Sequence, residues 1–156
     1  MHPACTTNPT RKYRWRLWLL AALVGLGACQ RTPDDVAVRN TIIDMAKAVE
    51  AKDSRAFLAH ISESYRDHDG RDRNGLRQLL LANFVQNQNI VVLVSDIVIE
   101  LRDNRADVHL TARLTSGKQL LADRRFGSYR VHTLWQRTGG DWQIYQAEWQ
   151  PLTEAQ

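Results

Sequence analysis

The chain has little cysteine: Cys5 and Cys29 are its two cysteines, and none follows them. The later residues can therefore form neither a disulfide nor a cysteine-ligated metal site, so a domain built from them depends on its hydrophobic core. Long apolar runs are also missing. The longest run, Leu17–Ala28, is shorter than the roughly 20 residues that a membrane-spanning helix needs. No acidic residue precedes Asp34, which leaves the first segment basic.

The order of this first segment is typical of a secretory signal, in which basic residues are followed by an apolar run and then by small residues. The basic residues are Arg11, Lys12, Arg14 and Arg16. The apolar run ends in Leu26-Gly27-Ala28-Cys29, which resembles the lipobox of bacterial lipoproteins. We therefore predict a signal peptide over residues 1–28 that is removed before Cys29.

The lipobox resemblance implies that Cys29 carries lipid and anchors the protein to a membrane. One acyl chain binds a membrane only marginally, whereas two or three hold it stably. Residues 29–32 would be a short tether that keeps the next domain close to the membrane. The residue after the cysteine is Gln30, and lipoproteins with no Asp at that position usually go on to the outer membrane. The resemblance therefore implies attachment to the periplasmic side of the outer membrane.

Removal of the signal changes the charge of the chain. The 21 basic and 17 acidic residues give a net charge of +4, and four of the basic residues lie in the signal, so the remainder is neutral. A neutral chain lacks the electrostatic attraction on which nucleic-acid binding depends, and we predict no nucleic-acid partner. The length suits a single domain, predicted over residues 33–151, with residues 152–156 as a tail.

Apolar residues at spacings of three and four predict three helices in the first half of the domain. The first begins after Thr32-Pro33 and runs to about Ala51, and the second begins at the predicted N-cap Asp53. A polar, irregular segment from Tyr65 to Asn74 precedes the third. The predicted inward residues are Val38, Ile42, Met45 and Val49; then Phe57, Leu58 and Ile61; then Leu76, Leu79, Leu80 and Phe84.

From Ile90 onward the apolar period changes to two, which predicts about four antiparallel strands. Tight turns are expected at Asp103-Asn104 and Gly139-Gly140, with a longer connection over Ser116–Phe126. The predicted inward residues are Val91, Leu93, Ile97, Ile99 and Leu101; Val108, Leu110, Ala112 and Leu114; Tyr129, Val131, Thr133 and Trp135; and Trp142 and Ile144.

Helices followed by hairpin-linked strands predict an α+β fold, with the N-terminal helices packed on a curved antiparallel sheet. This order, the polar segment with Gly75, and the final Gly-Asp-Trp-Gln-Ile strand resemble the NTF2-like (SnoaL-like, cystatin-like) superfamily over roughly residues 33–151. The resemblance implies a cone with a pocket at its wide end. Members include isomerases, dehydratases and non-catalytic binding domains, so the fold leaves the function open.

Asp67, in the polar segment, is the weak catalytic candidate. Resemblance to ketosteroid isomerase implies a general base near this position. The predicted first helix has no Tyr to act as an oxyanion donor. Oxyanion stabilisation, which is usually the largest catalytic contribution, therefore has no donor on that helix. In the alternative interpretation Asp67, Asp69, Asp72 and Asn74 are loop and capping residues. A calcium loop starting at Asp67 is excluded, because Arg71 would occupy a ligand position.

Four histidines follow Cys29, and none forms an i, i+4 pair on a helix. These residues are His60, His68, His109 and His132. Two of them are predicted neighbours on the outer sheet face, but two histidines alone make a poor metal site, and we predict no metal. Aromatic and apolar residues on the same face favour a homodimer interface. The predicted interface residues are His109, His132, Leu134, Tyr145 and Trp149.

The predicted pocket residues are Tyr65, Asp67, Phe84, Trp135, Trp142 and Glu148. In the alternative interpretation Trp135 and Trp142 simply fill the core. The sequence thus favours a membrane-anchored, non-catalytic domain that binds a small apolar ligand or an envelope protein, without a cofactor. Two alternatives stay open: a pocket enzyme of isomerase or dehydratase type that uses Asp67, and a structural component of the cell envelope.

Overall fold

A computed structural model describes residues 34–115 and 127–152. The predicted signal, Cys29, the tether, the Ser116–Phe126 connection and most of the tail lie outside these residues. The described helices are α1 (Asp34–Glu50), α2 (Ser54–Ala59) and α3 (Arg73–Gln86). The described strands are β1 (Ile61–Asp67), β2 (Val91–Arg102), β3 (Arg105–Thr115), β4 (Ser128–Thr138) and β5 (Asp141–Pro151).

The three helices form where the apolar spacing predicts them. Two are capped by aspartates: Asp53 accepts a hydrogen bond from the Ala56 N–H at 2.9 Å, and Asp72 accepts one from the Gly75 N–H at 2.8 Å. Gly75 therefore lies inside the first turn of α3 and not before the helix. The predicted inward position of Leu79 is wrong, because that side chain is exposed on the outer side of α3.

The sheet has five strands in the order β1-β5-β4-β3-β2, one more than predicted. The additional strand is β1, which pairs in parallel with β5 at the sheet edge. The sequence pattern predicts Ile61 in the second helix and Tyr65 in an irregular segment. Both side chains are buried in β1, whose short run Ile-Ser-Glu-Ser-Tyr-Arg-Asp lacks the alternation of a half-buried strand.

Two tight hairpins join the antiparallel strands, as predicted. Thr138 pairs with Asp141 across Gly139-Gly140, and both glycines have positive φ angles, of 63° and 102°. A two-residue hairpin turn of type I′ needs positive φ at both positions, which glycine adopts without steric cost. Asp103 reaches a φ of 51° in the turn between β2 and β3.

A register shift between Ser95 and Val98 interrupts β2. Asp96 there has a φ of 54°, and the shift changes which residues face inward. Leu93, predicted to face the core, is 58% exposed, whereas Val92 and Val94 point inward. The prediction for Val91 is likewise wrong, since that side chain is exposed. Leu101 keeps the phase of Ile99, opposite the buried Ala106, but is 40% exposed near the end of the strand. A bulge adds one residue to one strand and so reverses the alternation on one side of it.

The core lies between α1 and the inner face of the curved sheet. Its central residues come from α1, β3 and β4, and Val38, Val108 and Trp135 have almost no exposed surface. All of the core residues lie between Val38 and Ala147, within the compact unit Thr32–Gln156. Among the described helices, none is both long enough and apolar enough to cross a membrane.

Candidate ligand cavity

A cavity of about 230 Å³ lies between α1 and the inner face of the sheet. Side chains from α1, α2, α3 and all five strands line it. The lining residues are Ile42, Met45, Ala46, Val49, Phe57, Ile61, Tyr65, Leu76, Val92, Val94, Leu110, Ala112, Leu114, Val131, Thr133, Trp135, Ile144, Ala147 and Trp149. The wall is almost entirely apolar, which is the character of a site for a small apolar molecule.

Most of the few polar side-chain atoms of the wall form hydrogen bonds within the protein. The Trp135 Nε1–H donates to Thr133 Oγ1 at 2.8 Å, and that hydroxyl in turn reaches the Val108 carbonyl at 3.5 Å. Tyr65 is the one ionisable residue of the lining. Burial raises the pKa of its hydroxyl, and the Asp67 carboxylate raises that pKa further, so Tyr65 is neutral at physiological pH.

Asp67 is held by Arg71 and by the backbone of its own loop. Its side chain is fully buried, and Oδ2 accepts a hydrogen bond from Arg71 Nε at 2.8 Å. Oδ1 accepts from the Asp69 N–H at 3.0 Å and from the Arg71 N–H at 2.9 Å. Gly70, with a φ of 79°, lets the chain turn tightly there. The carboxylate thus closes a loop, and it does not line the cavity.

Trp149 contacts both the cavity and this polar loop. It is one of the residues that line the cavity. The His68 ring meets it edge-on at 4.5 Å between centroids, and the Arg71 guanidinium lies 5.5 Å from its centroid. An aromatic ring with an apolar face inside and cationic or polar neighbours outside suits the rim of a pocket.

Of the six predicted pocket residues, the structure places Tyr65 and Trp135 in the cavity wall. Phe84 is buried near the end of α3, where Lys52 Nζ donates to its carbonyl at 2.9 Å. Trp142 is buried beside the β4–β5 turn, beneath the Arg137 guanidinium at 4.8 Å. These two residues therefore pack elsewhere in the core and are not part of the cavity wall.

Two further predictions in β5 are wrong because a second register shift, between Leu134 and Trp135, changes which residues face inward. Tyr145 has no partner in the pairing of β5 with β4, and the strand changes phase there. Ala147 and Trp149 consequently face the cavity, whereas Glu148 lies opposite His132 and is exposed. Trp149 is thus a cavity residue and not a residue of the predicted dimer face, and Glu148 belongs to the outer face.

The other predicted outer-face residues do lie together on the outer face of the sheet. His109 is directly opposite His132, and their rings stack with centroids 4.3 Å apart. Leu134 and Tyr145 border a shallow depression with Asp107. Asp107 is not among the predicted outer-face residues, although its place two residues before His109 on one strand puts it on the same face.

Several cavity residues were also missed, above all Val92 and Val94 of β2 and Ala46 of α1. Ala46 follows Met45 on the predicted apolar face of α1, so the helical period could have identified it. Val92 and Val94 could not be identified by alternation, because the β2 bulge is visible only in the strand pairing.

No protein-family model matches the chain, and no curated protein matches it in sequence. Solved structures, in contrast, match the chain in fold. A proposed dehydratase of the NTF2-like family from Streptomyces avermitilis matches with a TM-score of 0.65 at 16% identity, over 78% of this chain and 99% of that one. An NTF2-like protein of unknown function from Pseudomonas putida KT2440 matches with a TM-score of 0.63 at 16% identity, over 76% and 93%.

The chain has the NTF2-like, cystatin-like fold. The fold also occurs inside larger proteins: Bd1075 from Bdellovibrio bacteriovorus matches with a TM-score of 0.66 at 15% identity, and this chain covers 40% of its length. At such identities the likeness concerns the fold alone. The predicted α+β cone with N-terminal helices on a curved sheet is therefore confirmed, with five strands in place of four.

Proposed function

We propose that this NTF2-like protein is a lipid-anchored envelope protein whose domain binds a small apolar molecule without catalysing a reaction. The observation that carries the proposal is the cavity wall, in which Tyr65 is the one ionisable residue. General acid–base chemistry needs a titratable group within hydrogen-bond reach of the reacting proton. Asp67, the candidate base, instead accepts three hydrogen bonds from its own loop.

The cavity can be tested with a soluble form of the domain, residues 31–156. This form is expected to fold because all of the core residues lie between Val38 and Ala147. Native mass spectrometry after gentle purification should detect a co-purified apolar molecule, which organic extraction would then identify. A domain that remains empty, and that binds no apolar compound from a panel of fatty acids and sterols, would favour a structural envelope component instead.

A matched pair of variants separates cavity binding from surface binding. Ala112 lines the cavity from β3, and the preceding residue, Thr111, points to the outer face of the same strand. Ala112→Leu places three more carbon atoms in the cavity and should weaken ligand binding at least tenfold. Thr111→Leu makes a similar change on the other face and should leave binding unchanged. Equal effects of both variants would contradict a ligand inside the cone.

Membrane anchoring rests on the basic segment, the short apolar run and Leu26-Gly27-Ala28-Cys29. In a bacterial host, intact mass spectrometry of the membrane-extracted protein should show a chain that begins at Cys29 and carries lipid. Cys29→Ser should abolish both lipid and cleavage, whereas Cys5→Ser should change neither. Gradient separation of the two membranes tests the outer-membrane assignment. An unlipidated chain that keeps residues 1–28 would contradict the anchor.

We also infer that the outer sheet face pairs two copies of the chain. Beside His109, His132, Leu134 and Tyr145, this face exposes Leu93 and Val98 of β2. Analytical ultracentrifugation of residues 31–156 should show a dimer. Leu93→Lys combined with Val98→Lys should yield a folded monomer, since both positions are more than half exposed. A monomeric unmodified domain would contradict the dimer, and a dimer that persists in the double variant would place it elsewhere.

A further inference from the structure

Three side chains with metal-ligating atoms converge on the outer face of the sheet, opposite the cavity. Asp107 and His109 are two residues apart on β3, so their side chains leave the same face. His132 of β4 lies directly across from His109. Two ligands from one strand and a third from its neighbour thus form a triangle that the sheet backbone holds in place.

The ligating atoms are already close. His132 Nε2 lies 2.8 Å from Asp107 Oδ1, and His109 Nε2 lies 3.4 Å from the same oxygen. All three atoms fall within 4.8 Å of one another. Zinc bonds of 2.0–2.2 Å in tetrahedral geometry separate neighbouring ligand atoms by about 3.3 Å. The atoms are therefore close to that spacing, but the two imidazole rings are stacked with an interplanar angle of 4°, so each ring must turn about its Cβ–Cγ bond to point its Nε2 lone pair at a shared ion.

In a single copy of the chain the site is open to an ion from solvent, and the outer-face dimer proposed above would compete with the ion for this face. The exposed fractions of the side chains are 52% for His109, 35% for Asp107 and 32% for His132. Water could therefore complete the coordination of a bound cation. Glu148 of β5 lies opposite His132 and adds negative charge, whereas Glu100 of β2, opposite Asp107, is ion-paired with Arg102. Carboxylates next to the ligands favour a cation at this position.

We propose that Asp107, His109 and His132 bind a divalent transition-metal ion, with zinc as the probe. Imidazole nitrogen and carboxylate oxygen are ligands that zinc accepts, and a site with three protein ligands keeps a fourth position for water or another group. The sequence prediction of no metal considered only the two histidines. Asp107 supplies the third ligand, and the pairing of β3 with β4 brings it to them.

The test uses the full chain, purified in detergent and stripped of metal. Zinc titration by calorimetry is expected to show one ion per chain that depends on this site. Cobalt substitution should give the visible absorption bands of a low-symmetry site with nitrogen and oxygen ligands. Loss of an outer-shell partner of a metal site typically weakens binding 10–100-fold, so His109→Ala and His132→Ala should each weaken it at least tenfold.

Two further variants make the test specific. His60→Ala removes a histidine that ends α2, away from the outer face, and should leave zinc binding intact. Asp107→Asn keeps an oxygen that can accept from His132 but removes the charge, and should weaken binding while the circular dichroism spectrum stays unchanged. Either of two results overturns the proposal. One is that the chain binds no zinc at about 100 µM, which is the order of magnitude of the dissociation constants of weak metal sites. The other is that His109→Ala and His132→Ala bind zinc as tightly as the unmodified chain.

Discussion

Replacing Asp67 by Asn should lower the free energy of unfolding by about 2–3 kcal/mol. The carboxylate is fully buried and accepts from Arg71 Nε at 2.8 Å. Hydrogen bonds to charged groups contribute about 1.5–3 kcal/mol, and a buried polar group left without a partner costs more. Asn keeps one oxygen for the two backbone N–H groups. Its amide nitrogen, however, would face the Arg71 donor, so the strongest of the three hydrogen bonds is lost.

Urea unfolding of residues 31–156, followed by circular dichroism at neutral pH, measures this change. Asp69→Asn is the matched control, because Asp69 contacts the same Arg71 but its side chain is 51% exposed. Exposed ion pairs contribute about 0–1 kcal/mol, so this control should lose less than about 1 kcal/mol. Equal stability losses in the two variants would refute the structural role of Asp67. Unchanged stability with loss of a measured turnover would restore Asp67 as a catalytic base.

Three other measurements test particular features of the fold. The pKa of Tyr65 is raised above its ordinary value of 10.0, so the folded state holds the hydroxyl proton more tightly than the unfolded state does. The free energy of unfolding should therefore fall as pH rises above about 10. Tyr65→Phe should remove that part of the pH dependence, measured by urea unfolding at a series of pH values. Trp149→Ala should lower the free energy of unfolding by about 2–4 kcal/mol and Glu148→Ala by less than about 0.5 kcal/mol, because the register shift in β5 points only Trp149 inward. A larger loss for Glu148→Ala than for Trp149→Ala would refute this assignment of the two faces of β5. Asp96→Val should cost about 1–3 kcal/mol in the same assay, because a β-branched residue at a φ of 54° is strained, and no change would argue against the β2 bulge.

Local chemistry was sufficient to predict several elements. The spacing of Val38, Ile42 and Met45 identifies the buried face of α1, because a helix returns to one face every three or four residues. Asp53 caps α2 as predicted, and Gly139-Gly140 forms the turn that positive φ requires. The inward residues of β3 and β4 follow from plain alternation, since each of these strands keeps one phase along its apolar residues.

The candidate sites depend on contacts between residues far apart in sequence, which no local pattern contains. β1 is stabilised as a strand by pairing with β5, whose paired residues lie eighty or more positions later, and that pairing buries Tyr65 and Asp67. Extra residues near Asp96 and Tyr145 reverse the alternation of β2 and β5, so the faces of Leu93, Glu148 and Trp149 could not be read from period alone.

The sequence by itself determined the three helices, the four later strands and the apolar faces of α1, β3 and β4, because these follow from helix and strand periods and from turn chemistry. Only the tertiary structure decided that Asp67 closes a loop and that Trp149 faces the cavity. It also decided that Asp107 meets two histidines. The physical reason is that a side chain's surroundings depend on which strands pair and in which register, and those pairings form only when the whole sheet assembles.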